Sequence, residues 1–365
     1  MTTGKSTGMR WKQGALLGTF LVLFSILAAD LHAQLRGINR AIQAQQQNNP
    51  ALFRIQGVTA TGIGSDNQGQ AIIKVYTTRP GVRGIAAKFN GVDVVTEVSG
   101  VIEAFPKGGN GGGKGKPGDG GGGEVDPTTR LARPVPIGVS VGSPSITAGT
   151  LGCRITITDF SQEQPTVEHF ILSNNHVLAD ENFGIPVDTL ILQPGPFDGG
   201  TSPEDSIGLL FDYVPLILDD SSHNVVDAAI AITTIGETGV ATPPEGYGVP
   251  QVEPLEAFVG LKLQKYGRTT RHTRGAVDAI NATVRVQYST GIGLFVDQII
   301  IKGSKGKFSD GGDSGSLIVS DPSKYPVGLL FAGNKRVTIA NRIRSVLDAF
   351  SNVGSNVIAE IDDGQ

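Results

Sequence analysis

The 365-residue chain has a single cysteine, Cys153. No internal disulfide can form, so an exported domain built from this chain has to rest on its apolar core. Cys153 itself is expected as a small buried side chain in a strand, since no histidine neighbours it in sequence to activate a thiolate. Aromatics are scarce at 6%, and the one tryptophan, Trp11, lies near the start. Neither sign of charge dominates: the net charge is −4 and the pI about 5.8. Nothing global draws the chain to nucleic acid or to acidic lipid. Glycine, by contrast, is abundant at 51 residues. Much glycine with few aromatics fits short strands and turns better than long helices. The length accommodates one sizeable domain and a smaller one.

The first residues carry a targeting pattern. Lys5, Arg10 and Lys12 precede an apolar stretch from Gly14 to Ala29, and Leu31-His32-Ala33 offers a cleavage point. That stretch suits a signal-peptide core better than a spanning helix, which needs roughly 20 residues. Residues 1–33 are therefore expected to direct export, to a secreted, periplasmic or cell-envelope location. Leu31 is not small, which leaves an uncleaved membrane tether through residues 14–29 as the alternative. Residues 34–106 are expected as a polar spacer and a small α+β domain, with strand-like runs at Val58-Thr59-Ala60, Ala71-Ile72-Ile73-Lys74-Val75-Tyr76 and Val92-Asp93-Val94-Val95. No catalytic constellation falls in it. Residues 107–127 are expected as a linker, because eleven of the sixteen residues from Gly108 to Gly123 are glycine. Such sequence remains a flexible coil. Its exposure to proteolysis makes residues 34–106 a candidate prosegment or tether, released by a cut in 108–123.

From 128 to 365 short apolar runs follow one another, among them Arg154-Ile155-Thr156-Ile157-Thr158, Phe170-Ile171-Leu172, Ala228-Ala229-Ile230-Ala231-Ile232 and Leu317-Ile318-Val319. This predicts a β-sandwich or barrel. Ile343, Val346, Leu347 and Phe350 fall at helical spacing and predict one helix near the end. The expected architecture is mainly β: a double barrel closing on a C-terminal helix. No internal repeat is evident.

Three segments carry chemistry. In Gly311-Gly312-Asp313-Ser314-Gly315-Ser316, glycines flank a serine and permit a tight, exposed turn. A nucleophilic hydroxyl needs such a turn, with its own N–H aimed at the developing oxyanion. A surface turn of small residues is the plain alternative. In Phe170-Ile171-Leu172-Ser173-Asn174-Asn175-His176-Val177 an apolar strand ends in a polar turn that carries a histidine. That placement suits a general base, and equally a satisfied structural histidine. In Asn224-Val225-Val226-Asp227-Ala228-Ala229-Ile230 an acid sits at the mouth of an apolar strand. A buried carboxylate needs a cation or several donors, and an imidazole N–H supplies one; capping a turn is the alternative.

Together the three are more telling. Asp227 follows His176 by 51 residues and Ser314 follows by another 87. The order His, Asp, Ser is that of the chymotrypsin architecture. Leu172-Ser173-Asn174-Asn175-His176-Val177, Val226-Asp227-Ala228-Ala229 and Gly312-Asp313-Ser314-Gly315-Ser316 resemble the histidine, aspartate and serine boxes of the trypsin-like serine proteases. Thr147-Ala148-Gly149-Thr150-Leu151-Gly152, Gln193-Pro194-Gly195-Pro196-Phe197-Asp198-Gly199-Gly200, Tyr266-Gly267-Arg268-Thr269-Thr270 and Gly328-Leu329-Leu330-Phe331-Ala332-Gly333 resemble, more narrowly, a bacterial branch related to the plant narrow-leaf proteins.

The resemblance implies a chymotrypsin-like double β-barrel, a serine endopeptidase acting on protein or peptide substrates, and no cofactor. It implies an oxyanion hole from the N–H groups of Gly312 and Ser314. It also points to Phe308 and Gly333 as pocket residues, with no acid at the pocket floor unless the register shifts toward Asp310. Asn174 and Asn175 depart from the small pair that usually precedes the histidine. A catalytically silent peptide-binding module, or an esterase using the same triad, are the rival readings. Lys262, Lys265, Arg268, Arg271, His272 and Arg274 are expected as the solvated face of a hairpin.

Overall fold

The computed structural model describes residues 35–104, 124–161, 163–219, 223–352 and 356–365. The expected leader, with its tether at 14–29, and residues 107–123 of the expected linker lie outside them.

The chain begins with helix α1 (Ile38–Leu52), then β1 (Val58–Ser65), β2 (Ala71–Thr77), β3 (Lys88–Phe89) and β4 (Val92–Val98). A first lobe follows. It comprises β5 (Ser140–Val141), β6 (Gly149–Thr150), β7 (Cys153–Asp159), β8 (Thr166–Ser173), the one-turn helix α2 (Asn175–Leu178), β9 (Leu190–Leu192), β10 (Ser206–Tyr213) and β12 (Ala229–Thr233), while the short β11 (His223–Asn224) between the last two crosses to pair with a strand of the second lobe. The second lobe holds β13 (Lys262–Lys265), β14 (Thr273–Gln287), β15 (Ile292–Gly303), β16 (Leu317–Ser320), β17 (Pro326–Gly333) and β18 (Thr338–Arg342). Helix α3 (Ile343–Phe350) and β19 (Val357–Ile361) complete it.

The second lobe is a closed barrel. β13 pairs with β14, β14 with β15, β15 with β18, β18 with β17, β17 with β16, and β16 again with β13. Closure leaves none of these six strands with two free edges. In the first lobe β7, β8, β12, β10 and β9 are hydrogen-bonded in that order, and a bridge from Leu192 to Gly142 carries the wall on to β5 and β6. β19 returns from the end of the chain to pair with β7. The expected mainly β double barrel with a C-terminal helix is what forms. Ile343, Val346, Leu347 and Phe350 all face inward, packed with Ile155, Phe170 and Leu317.

Residues 35–104 do form a helix and four strands, but they do not close on a core of their own. β1 pairs with the second half of β14, matching Ala60 to Val284 and Ile63 to Ile280, and β2 and β4 extend that sheet. Ala41, Leu52, Ile63 and Ile73 share one apolar cluster with Leu263, Val277, Ile299 and Leu330 of the barrel. The fifteen residues of β14 are long enough to hold β13 along their first part and β1 along the rest.

Candidate active site

β8 ends at Ser173 and the chain turns at once into α2, which begins at Asn175. Both asparagines that depart from the usual small pair are fully buried and tie this turn down. Asn174 donates from Nδ2 to the carbonyl of Asp227 at 2.8 Å, and Asn175 donates to the carbonyl of Val214 at 2.8 Å. Asn175 also exchanges bonds with Asn182. Those bonds anchor the last of three consecutive left-handed residues, Asp180, Glu181 and Asn182, with φ of 50°, 54° and 77°. Such a run of non-glycine residues persists only where surrounding bonds fix it.

His176 sits in the middle of this turn. Its Nδ1 lies 2.6 Å from Asp227 Oδ2, and its backbone N–H is 3.3 Å from Oδ1. A carboxylate only accepts, so the imidazole carries its proton on Nδ1 and presents Nε2 as a base. Asp227 has no exposed surface. Its burial is tolerable because Oδ2 also accepts from the Tyr288 hydroxyl at 2.8 Å. Its own N–H donates to Asn341 Oδ1, which Gln298 holds in turn.

Among the described residues His176 Nε2 meets no hydrogen-bond partner; the atom is buried, at the wall of a cleft that Thr147, Val177, Glu181, Gly312 and Ser314 also line. Ser314 Oγ does not bond to Nε2 in this structure. It leans on the carbonyl of Phe331 at 3.4 Å. Base-to-nucleophile bonds are often loose without substrate and tighten when it binds.

The serine turn is shaped from behind. Gly312 and Gly315 have φ of 91° and 92°, which a side chain at either position would make costly. No acceptor meets the N–H of Gly312 or Ser314 among the described residues, so both donors stay available. Between them Asp313 turns inward. Its carboxylate accepts from the N–H groups of Thr269, Thr270 and Asp310 and from the Thr270 hydroxyl, and Lys265 stands at 3.4 Å.

Two expectations are corrected here. Phe308 is no pocket floor: it is 2% exposed and packs into the barrel core with Leu263, Val277 and Ile318. An aromatic ring at the edge of an apolar barrel gains more by entering it than by lining a wet cleft. The basic run is a solvated face only at its ends, where Lys262 and Arg274 are exposed. Lys265 and Arg268 are buried, the first against Asp313 and the second against Asp198, whose Oδ1 is 2.5 Å from Nη2. Gly333, the other expected pocket residue, lies at the end of β17 and exchanges backbone bonds with Glu103. Tyr288, Asn341, Gln298 and Lys265 have no counterpart in the sequence reading of the site. Among the described residues no group of three His, Cys, Asp or Glu side chains is placed to hold a metal ion.

Known proteins give a partial likeness. Residues 217–351 match the Nal1 C-terminal domain family. The rice protein NARROW LEAF 1 (Oryza sativa subsp. japonica) is 28% identical over 138 residues, 37% of this chain. The match takes in 22% of that protein's length. Protease A of Thermobifida fusca is 17% identical with a TM-score of 0.41, covering 62% of this chain and all of the other. Cellulomonas bogoriensis chymotrypsin is 16% identical, with a TM-score of 0.40 over 63% of this chain and 98% of its own. A glutamic acid specific serine protease gives 18% and 0.41, over 62% and 100%. At these TM-scores the double-barrel description rests on the strand pairing, not on the likeness.

Proposed function

We propose that the chain is a serine endopeptidase, with His176, Asp227 and Ser314 as its triad and residues 1–33 directing its export. One observation carries this reading: a buried carboxylate fixes the imidazole tautomer at 2.6 Å, and Nε2, without a partner among the described residues, borders a cleft shared with Ser314. On substrate binding, His176 takes the proton of the Ser314 hydroxyl as Oγ attacks a peptide carbonyl. Asp227 orients the ring and stabilises the imidazolium. The N–H groups of Gly312 and Ser314 receive the oxyanion. His176 then protonates the leaving amine, and water, activated by the same nitrogen, hydrolyses the acyl-enzyme.

The test uses a fluorophosphonate probe on the wild-type chain beside Ser314→Ala and His176→Ala, with the labelled residue mapped by mass spectrometry. The reading requires labelling at Ser314 that is lost without His176. Peptide libraries against ester libraries then separate an endopeptidase from an esterase. The distance of Ser314 Oγ from any partner but Phe331 favours one second reading, a catalytically silent peptide-binding module. A folded wild-type chain that binds peptides but does not label would establish it.

A further inference from the structure

The structure assigns Tyr288 as a positioning residue for the His176–Asp227 pair, a role that rests on the endopeptidase reading above. Asp227 Oδ2 accepts twice, from His176 Nδ1 at 2.6 Å and from Tyr288 at 2.8 Å. With both bonds made, the carboxylate cannot rotate without breaking one. The phenol ring stands edge-on to the imidazole, at 5.9 Å and 77°, and stacks on Phe295 at 6.0 Å. Tyr288 therefore fixes the acid by its hydroxyl and the base by its ring. Burial and the charge of Asp227 both hold the phenol far above its ordinary value, so it stays a neutral donor throughout the working range.

Tyr288 belongs to the second lobe, at the tip of the β14–β15 hairpin, whereas His176 stands in the first. A second contact locks that tip. The Glu181 carboxylate accepts from the N–H and hydroxyl groups of both Ser289 and Thr290. The second lobe thus carries the nucleophile and also steadies the base that activates it.

Tyr288→Phe keeps the ring and removes the hydroxyl. The expected result is a fall of about 10- to 100-fold in kcat with KM within about twofold, since the lost contact touches the triad and not the substrate. The His176 Nδ1 proton resonance, followed by NMR, should move downfield, because Asp227 Oδ2 then accepts from His176 alone. Phe295→Leu disturbs the same packing but leaves the hydroxyl, and should move neither reading comparably. A His176 Nδ1 proton resonance unchanged in folded Tyr288→Phe, or one moved equally by Phe295→Leu, overturns the assignment. The NMR reading needs no turnover, so an inactive wild type would refute the endopeptidase reading without touching this one.

A separate observation concerns the backbone. We propose that residues 102–104 occupy the strand edge on which an extended peptide substrate would lie, so that the chain holds its own site closed. This too rests on the endopeptidase reading. β17 runs past the serine turn: Gly315 N–H donates to Leu330, and the Phe331 carbonyl lies 3.4 Å from Ser314 Oγ. Two residues on, Gly333 offers its backbone groups along β17 where it leaves the nucleophile. A peptide whose carbonyl sits at Ser314 would add to this edge as a further strand. Glu103 already does so: its N–H donates to the Gly333 carbonyl at 3.2 Å and its carbonyl accepts from the Gly333 N–H at 2.9 Å. The segment is anchored on both sides. Ala104 N–H donates to Gln287, Gln287 N–H to Ile102, and the Asn334 side chain to Val101.

A small fluorophosphonate needs no strand edge, whereas a tetrapeptidyl phosphonate does. In the full chain the small reagent should label Ser314 readily and the peptidyl reagent slowly. Glu103→Pro, which lacks the N–H given to Gly333, should accelerate the peptidyl reagent by about tenfold or more and leave the small one unchanged. Asn334→Ala with Arg336→Ala, whose guanidinium donates to the Val98 carbonyl at 2.9 Å, loosens the same segment without a proline, should the first variant fold poorly. Equal peptidyl rates in the wild type and both folded variants overturn the proposal. A wild type inert even to the small reagent refutes the endopeptidase reading instead.

Discussion

Lys265 brings its ammonium to 3.4 Å from the carboxylate of Asp313, and neither side chain has exposed surface. Burial lowers the pKa of the ammonium while the charge of Asp313 works to raise it. Two further acceptors, the Thr270 hydroxyl at 2.5 Å and the Arg271 carbonyl at 3.1 Å, complete the cation's shell. Asp313 precedes Ser314 directly, so this pair ties the serine turn to β13. Lys265→Met removes one partner of a buried pair, which costs about 3–5 kcal/mol. Urea unfolding should show that loss, and fluorophosphonate labelling of the remaining folded fraction should slow.

Glu181 supplies the pH-dependent link between the lobes. Burial pushes its carboxyl up, but the bonds from Thr290 and Ser289 outweigh it and hold the group below the usual carboxylate range. A depressed folded value means that the contribution is complete above the unfolded value of roughly 4.3 and is lost as pH falls through the folded one. Thermal melts taken between neutral pH and pH 3 should therefore show a steeper acid loss for the wild type than for Glu181→Gln. At neutral pH the variant should be less stable by about 1–3 kcal/mol, since one amide oxygen cannot serve four donors.

Gly315 admits no side chain. Its φ is 92°, and a Cβ there would collide with the Ser173 hydroxyl and the Thr150 carbonyl. Gly315→Ala should destabilise the fold by about 2–4 kcal/mol, from backbone strain and overpacking together. Labelling at Ser314 should fall more than the stability does, because Thr150 also receives the Ser173 hydroxyl and donates its N–H to the Ser314 carbonyl.

Cys153 is 1% exposed, and burial raises its thiol far above the ordinary value. A thiol reagent should leave the native chain unmodified and react once denaturant unfolds it. Fast reaction under native conditions would contradict the packing of the first lobe.

The sequence made the candidate triad legible because each member needs a particular local backbone. His176 needs a strand end and a turn, and Ser314 needs glycine at 312 and 315. The strand readings at 71–76, 154–158, 170–172 and 317–319 fall within β2, β7, β8 and β16 for the same local reason. The supporting groups were hidden because their partners are remote. Tyr288 reaches Asp227 across 61 residues and Asn341 across 114, and no periodicity marks such pairs. The basic run misled in the same way, since Arg268 finds its carboxylate 70 residues away at Asp198. Phe308 shows the limit of counting back from a nucleophile: position in sequence does not say whether a ring turns to the cleft or to the core.

β19 has a consequence for the order of events at the ribosome. Ala359 pairs with Ile157 and Ile361 with Ile155, so β7 waits for residues made some two hundred positions later. The barrel that carries Ser314 can close its six strands before then, since its last strand ends at Arg342. Domains tend to fold from the N-terminal side as they emerge. In this chain the lobe synthesised second has its full complement of strands before the lobe synthesised first, and His176 and Asp227 reach finished surroundings after Ser314 does.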